Sequence, residues 1–239
     1  MTDALRDRVV LISGATGALG SAVTRTFAHT AARLVLTGRS EDKLERLCTE
    51  IDLPEERIFS VAADATQAKE VEKLVEATVA RFGQLDVLLN TAGGWRGGTP
   101  VWETSLEEWD HMLALNLHSA FFLSRAVLPH MLQASWGRIV HVSSKTAVAP
   151  RAKRAAYAVS KMGLITLTEI IAAEVKGTGV TANVILPSVI DTPANLAAMP
   201  KANTSKWVPP ERIAETMQFL CSDAGASING ARVPIYGAV

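Results

Sequence analysis

Short apolar runs, rich in β-branched residues, alternate along the chain with longer stretches of helical period. The strand candidates are RVVLIS (8–13), RLVLTG (33–38), RIFSVA (57–62), LDVLLN (85–90), GRIVHVS (137–143), VTANVIL (180–186) and a short ARVPIY (231–236). Most are continuously apolar, the pattern of strands covered on both faces. Helical patterns fill 18–29, 41–50, 67–81, 106–133, 155–176 and 210–221. Asp64 with Thr66, and Ser105, read as helix starts, and Pro210 followed by Glu211 suits a first turn. Strand–helix alternation repeated this often predicts an α/β fold with a doubly wound parallel sheet. No linker or tandem repeat divides the chain, so residues 1–239 are expected to form one domain. The irregular stretch is 191–209, DTPANLAAMPKANTSKWVP. It follows the sixth strand at the end where such sheets bind ligands, and is expected to act as a substrate lid.

Composition narrows the function classes. The 239 residues carry 24 basic and 24 acidic side chains, without the basic excess of a nucleic-acid binder. A hydrophobic share of 48% fits a folded chain with a sizeable core. Cys48 and Cys221 lie far apart without metal-like spacing and read as buried or half-buried thiols in a reducing, cytoplasmic setting. MTDALRDRVVLISG carries charges where a signal peptide needs an apolar run, and no segment approaches 18 unbroken apolar residues, so no membrane span is expected. His111, His118, His130 and His141 lack metal spacing with carboxylates or cysteines and read as packing or surface residues. His29 sits at a helix end, and no metal is expected.

VVLISGATGALGSAV reads as strand, glycine-rich turn and helix, with Gly14, Gly17 and Gly20 at i, i+3 and i+6. Glycine lets the backbone turn tightly and approach a ligand's phosphates, which then meet the free N–H groups of a helix start. The spacing differs from G-x-G-x-x-G, but its place after the first strand points to nucleotide binding over a plain turn. The second strand ends LVLTGRSEDK. An acidic residue there would hold a ribose 2′-hydroxyl, whereas an arginine accommodates a 2′-phosphate. Gly38-Arg39-Ser40 therefore favours NADP(H), with NAD(H) the alternative.

AAYAVSK (155–161) puts Tyr157 and Lys161 on one helix face. A tyrosine with a pKa of about 10 is a poor proton donor near neutrality, and an adjacent ammonium would pull that value down. VHVSSK ends the fifth strand thirteen residues earlier and would bring the Ser144 hydroxyl beside that of Tyr157. Two donors converging on a carbonyl oxygen would stabilise charge as hydride adds to carbon.

With these residues in place, the chain resembles the short-chain dehydrogenases/reductases over nearly its whole length. The motifs that carry the resemblance are SGATGALG (13–20), ADAT (63–66), NTAG (90–93), LALNLHSAFF (113–122), VSS (142–144), YAVSK (157–161) and NVILPSVIDTP (183–193). The resemblance implies a seven-stranded parallel Rossmann-type sheet. It implies that Tyr157 is the general acid/base, that Lys161 binds the nicotinamide ribose and lowers the tyrosine pKa, and that Ser144 orients the carbonyl. Asn116 would hold a helix backbone open to a water in a proton relay. Cofactor contacts would come from Gly14, Thr16, Gly17, Leu19 and Gly20, from Arg39 and Ser40, from Asp64 at the adenine with Ala65 beside it, and from Asn90, Ala92 and Gly93 along the adenosine and ribose. Tyr157, Lys161 and Pro187, with Ile190 and Thr192 at the carboxamide and phosphates, complete the set. The chain departs from the family pattern in two places. Position 18 is alanine and Gly17 supplies the third glycine, as in the extended branch, whereas length and the Asn-Ser-Tyr-Lys set suit the shorter one. Pro187-Ser188 stands where the family has Pro-Gly.

AGGWRGG (92–98) and LPSVIDTPANLAAMPKANTSKWVPPE (186–211) resemble dihydropteridine reductases, members of the same family that reduce a quinonoid pterin. Trp95 and Trp207 would offer flat faces to a planar ring, or else pack the lid onto the body. Ser144, Asn116 and Arg39 point instead to ketone or secondary-alcohol chemistry. The leading expectation is an NADP(H)-dependent carbonyl reductase, of the 3-oxoacyl thioester type or similar, with a pterin reductase second. A non-catalytic dinucleotide-binding sensor is the alternative of another class. Lys145, Arg151, Lys153 and Arg154, with Arg96, read as a solvated loop and helix start, or as a mouth for an anionic or carrier-bound substrate. Apolar residues on more than one face of 106–133 and 155–176 suggest subunit packing, as a homotetramer or homodimer.

Overall fold

The computed structural model describes residues 5–237. Seven strands form one parallel sheet: β1 (Val9–Ser13), β2 (Arg33–Gly38), β3 (Ile58–Ala62), β4 (Val87–Asn90), β5 (Gly137–Val142), β6 (Val180–Pro187) and β7 (Arg232–Ile235). Their order is β3-β2-β1-β4-β5-β6-β7. The chain runs outward from β1 in one direction, then returns to lay β4 on its other side. The reversal opens a crevice at the carboxyl ends of β1 and β4, where a doubly wound sheet binds its ligand.

Side chains alternate across each strand, and both faces are covered. On one face Val10, Ile12, Leu34, Leu36 and Leu89 pack with α1 (Ala18–Ala28), α2 (Glu41–Ile51) and α9 (Pro210–Cys221) through Phe27, Leu44 and Met217. On the other face Val9, Leu11, Val35, Leu88 and Ile139 meet α3 (Ala68–Phe82), α5 (Ser119–Gln133) and α7 (Ala155–Glu174) through Leu74, Leu123 and Ile171. Each such side chain, fully buried, contributes about 1.5–3 kcal/mol. Two-sided burial explains why the strands read as unbroken apolar runs. The segments 106–133 and 155–174 reach the length and mean hydropathy, 1.2 and 1.3, of a membrane crossing. Their buried residues are nevertheless those that cover this sheet.

The amino ends of the strands are closed without any ligand. Asp86 accepts hydrogen bonds from Arg8 (2.9 Å), the Val9 N–H (2.8 Å) and Gln84 (2.7 Å). Trp136 lies between the guanidinium groups of Arg8 and Arg138, 3.8 and 4.3 Å from its ring centroid.

Several local expectations change. Ser105 caps α4 (Leu106–Leu113) through the Glu108 N–H, and Pro210 opens α9, both as predicted. Asp64 and Thr66 do not start α3. The Asp64 carboxylate accepts from the Thr66 N–H and hydroxyl, a local turn that ends before Gln67, which takes the cap position of α3 without a side-chain hydrogen bond. The 106–133 helix is interrupted by a π-helical segment, Ala114–His118, between α4 and α5. A short α6 (Lys145–Val148) follows β5. The 191–209 stretch contains α8 (Pro193–Ala198) and a 3₁₀ turn at Thr204–Lys206, and its base is tied by an Ile190–Val208 bridge.

Candidate active site

The loop after β1 is shaped by contact. Gly14 has φ +74°, and a side-chain carbon there would lie 2.8 Å from the Ala92 backbone. The Gly17 N–H closes the turn onto the Gly14 carbonyl at 3.0 Å. A side-chain carbon at Gly20 would come within 2.1 Å of the same carbonyl. Position 18 makes no such demand, and Ala18 is exposed. No side chain caps α1, so its opening N–H groups remain available to an anion. At the neighbouring strand end, Asn90 Oδ1 is buried without a hydrogen-bond partner. A bare loop, an uncapped helix start and an unsatisfied acceptor around one crevice fit a dinucleotide. Leu19 is buried and Thr16 half-buried on this loop, while Asp64 and Ala65 are half-buried beyond β3. A side-chain carbon at Gly38 would stand 3.2 Å from Thr16 Oγ1, whereas Arg39 is exposed beyond it and Ser40 caps α2.

The four expected catalytic residues gather at the carboxyl end of β5. Ser144, just past the strand, caps α6 through the Thr146 N–H and lies near enough to the Tyr157 hydroxyl to pull its pKa down. Lys161 is buried, and its Nζ donates to the Val142 carbonyl at 2.8 Å. Ser143 Oγ donates to the Lys161 carbonyl at 2.8 Å, so strand and helix are stitched together at both ends of that lysine. Asn116 sits inside the π segment, a conformation common where a helix carries function. Its Oδ1 accepts from the Gly94 N–H (3.1 Å), and its Nδ2 reaches the Gly94 carbonyl (3.2 Å) and Ser160 Oγ (3.1 Å). A side-chain carbon at Gly93 would lie 3.0 Å from both Asn116 Oδ1 and Lys161 Nζ, so both polar groups border one bare stretch of backbone.

The electrostatics of the site keep the phenol protonated. Burial raises the Tyr157 pKa, while the Ser144 hydroxyl and the nearby Arg154 charge pull it partway back. The predicted lowering by Lys161 is not among these influences. Burial pushes Lys161 itself down to about 8. The phenol is therefore held as an acid at neutral pH.

Sequence reasoning missed the supports. Val142, Ser143 and Ser160 fall inside the VSS and YAVSK motifs but received no role there, because their partners lie on other elements. His141 is fully buried, 3.3 Å from Asn90 Nδ2 at one ring nitrogen and 3.1 Å from Ser124 Oγ at the other. Burial, then the Lys161 charge, pushes its pKa down to about 3, so it stays neutral as a hydrogen-bonding post. Beyond β6, Pro187 is buried, Ser188 is fixed by its hydroxyl to the Tyr236 carbonyl (2.9 Å), and Thr192 caps α8. Ser188 is not among the residues of positive φ, so the family's glycine is not needed there. The two tryptophans separate. Trp207 is 8% exposed and anchors the base of the 191–209 segment, so its ring is not an open face, whereas Trp95 is 52% exposed.

Comparison with known proteins agrees with this geometry. The family model described as short chain dehydrogenase matches residues 8–203. D-threitol dehydrogenase of Mycolicibacterium smegmatis is 34% identical, over 98% of this chain and 93% of its own. The 3-oxoacyl-[acyl-carrier-protein] reductase FabG of Thermotoga maritima is 30% identical, over 98% of each. A short-chain dehydrogenase/reductase structure from Brucella melitensis, described as glucose/ribitol dehydrogenase, superposes with a TM-score of 0.86 at 27% identity, covering 98% of this chain and 97% of that one. The chain belongs to the short-chain dehydrogenase/reductase family, NAD(P)(H)-dependent oxidoreductases of alcohol and carbonyl groups.

Proposed function

We propose that this enzyme reduces a ketone to a secondary alcohol with NADPH, and that its substrate is of the 3-oxoacyl thioester type. The observation that carries the reading is the approach of Ser144 to Tyr157 at the end of β5, with Asn116 Oδ1 and Lys161 Nζ bordering Gly93 behind them. The nicotinamide, when bound, supplies the hydride. Ser144 and Tyr157 orient the carbonyl oxygen, and Tyr157 gives it the proton. Lys161 and Asn116 return a proton to the phenol from solvent. The glycine loop, Asn90, Ala92, Gly93, Pro187, Ile190 and Thr192 hold the dinucleotide, with Asp64 and Ala65 at its adenine. Arg39 and Ser40 favour a 2′-phosphate, since an arginine rather than an acidic residue follows β2. The 191–209 segment closes over substrate as a lid. Exposed Phe121, Val159 and Ile170 on α5 and α7 support assembly as a homotetramer or homodimer, and the setting is cytoplasmic.

Purified protein is expected to oxidise NADPH with an acetoacetyl thioester, faster than NADH. Tyr157→Phe lowers kcat by roughly 10²–10⁴-fold while NADPH still binds; near-normal kcat in that variant overturns the mechanism. Arg39→Asp moves the preference toward NADH, and an unchanged cofactor ratio refutes the role of Arg39. The half-exposed Trp95 ring beside Gly94 favours a second reading, reduction of a quinonoid dihydropterin. Turnover of that pterin without turnover of the thioester selects it.

A further inference from the structure

From His111 to Thr168 the chain contains no aspartate or glutamate, although its 24 basic and 24 acidic residues balance overall. Within that stretch lies the loop 149–154, which carries Arg151, Lys153 and Arg154 into the start of α7. Among the described residues, ion pairs occupy Arg8, Arg25, Arg33, Arg125, Arg212 and Arg232, and none involves these three. Of the other cations expected at this mouth, Lys145 is stacked on the Tyr236 ring at 4.4 Å, and Arg96 lies in the loop after β4.

The loop has a fixed frame. Lys153 has φ +63°, a left-handed conformation that is uncommon for a residue with a side chain. Its carbonyl accepts from the Gly98 N–H at 2.9 Å, and a side-chain carbon at Gly97 would lie 3.0 Å from that carbonyl. Two glycines thus let the loop after β4 dock closely on the one before α7. Arg154 then occupies the cap position of α7, which no side chain satisfies. Its guanidinium lies 5.8 Å from the Trp95 ring centroid. It is half-buried, three residues before Tyr157, and its charge reaches that phenol. A cation at a helix start opposes the helix dipole, and an anion seated between them removes the conflict.

We propose that Arg154 recognises an anionic group on the substrate, a carboxylate or phosphate borne by the chain attached to the reacting carbonyl, and so sets the specificity of the active-site mouth. The proposal rests on the ketone-reductase reading and extends it. Recognition through Arg154 gives the anion a charge-assisted hydrogen bond beside the reacting carbon while Trp95 lines the same mouth. Arg151 and Lys153 add attraction at longer range.

The test uses matched pairs with NADPH: acetoacetate against methyl acetoacetate, dihydroxyacetone phosphate against dihydroxyacetone, and acetoacetyl-coenzyme A against the acetoacetyl thioester of N-acetylcysteamine. The pairs separate a free carboxylate, a small phosphate and the phosphates of a carrier arm. The expected result is higher kcat/KM for the anionic member of at least one pair. Arg154→Gln should shrink that preference by roughly 10- to 100-fold, mainly through KM, and Arg154→Lys should restore part of it. Equal kcat/KM within every pair, or a preference that survives Arg154→Gln, overturns the proposal while leaving the reductase reading intact. If no pair is turned over, the reductase reading fails and tryptophan fluorescence decides the anion site. Acetoacetate or inorganic phosphate should then give a saturable change in the wild-type protein, absent with methyl acetoacetate, in Arg154→Gln and in Trp95→Phe. A response that Arg154→Gln keeps, or no response to either anion, overturns the site.

Discussion

Arg154 and Lys161 flank Tyr157 on one helix, three residues before it and four after, and the structure treats them in opposite ways. Lys161 is buried, tied to the Val142 carbonyl, and pushed down to about 8. Arg154 is half-buried beside a solvent-open tryptophan and, among the described residues, forms no ion pair. The spacing alone suggests that the lysine tunes the phenol. In the folded protein burial raises the phenol pKa, Ser144 and then Arg154 pull it partway back, and Lys161 donates to the Val142 carbonyl. Helical spacing brings groups to one face, but burial decides how much charge each still projects.

The contrast breaks most visibly through Lys161→Met. Removing the lysine takes away both the Val142 contact and the proton path, and kcat should fall by about 10²–10⁴-fold; a loss below tenfold in steady-state assays would make Lys161 a packing residue. Stability offers a second measure. Because the folded pKa of Lys161, about 8, lies below its ordinary 10.5, the unfolded chain binds the extra proton between those values. Stability therefore rises with pH across that window. Relative to Lys161→Met, the wild-type protein should gain about 1–2 kcal/mol from pH 7.5 to 9.5, read from denaturant midpoints; parallel curves for the two proteins would refute the depressed pKa. The smallest effect belongs to Arg154. Its charge lowers the phenol pKa, so Arg154→Gln should move the rising limb of alcohol oxidation to higher pH, by less than about one unit. A limb that stays in place would return the tuning to Lys161.

The regular parts of the fold were legible because they have long-period signals. The strands fall within one or two residues of the apolar runs, since burial on both faces leaves an uninterrupted pattern. The exceptions are short or local. α6 and α8 span four and six residues and bury little, so no hydrophobic period marks them. Asp64 looked like a cap because its residue type suits caps and turns alike, and the structure uses it for a turn. At the site, Ser144, Tyr157, Lys161 and Asn116 were readable from motifs. His141 was not, because its partners Asn90 and Ser124 are brought to it only by the sheet and α5. The fate of the two tryptophans was equally invisible, since exposure of Trp95 and burial of Trp207 depend on how loops 92–98 and 191–209 fold back.

The π segment at Ala114–His118 can also be viewed as a matter of chain length. It accommodates one residue more than a regular α-helix would over the same span. Deleting any one residue from ALNLH would let α4 and α5 fuse into a continuous α-helix with their outer faces kept, and would close the widened turn that carries Asn116. Leu123, Val127 and Met131 would stay on the sheet, but Asn116 would lose the geometry that sets it against Gly94 and Ser160. A helix is usually forgiving of substitution. This one is forgiving of sequence but not of length, and a single lost codon here should disable the protein as surely as a change at Tyr157.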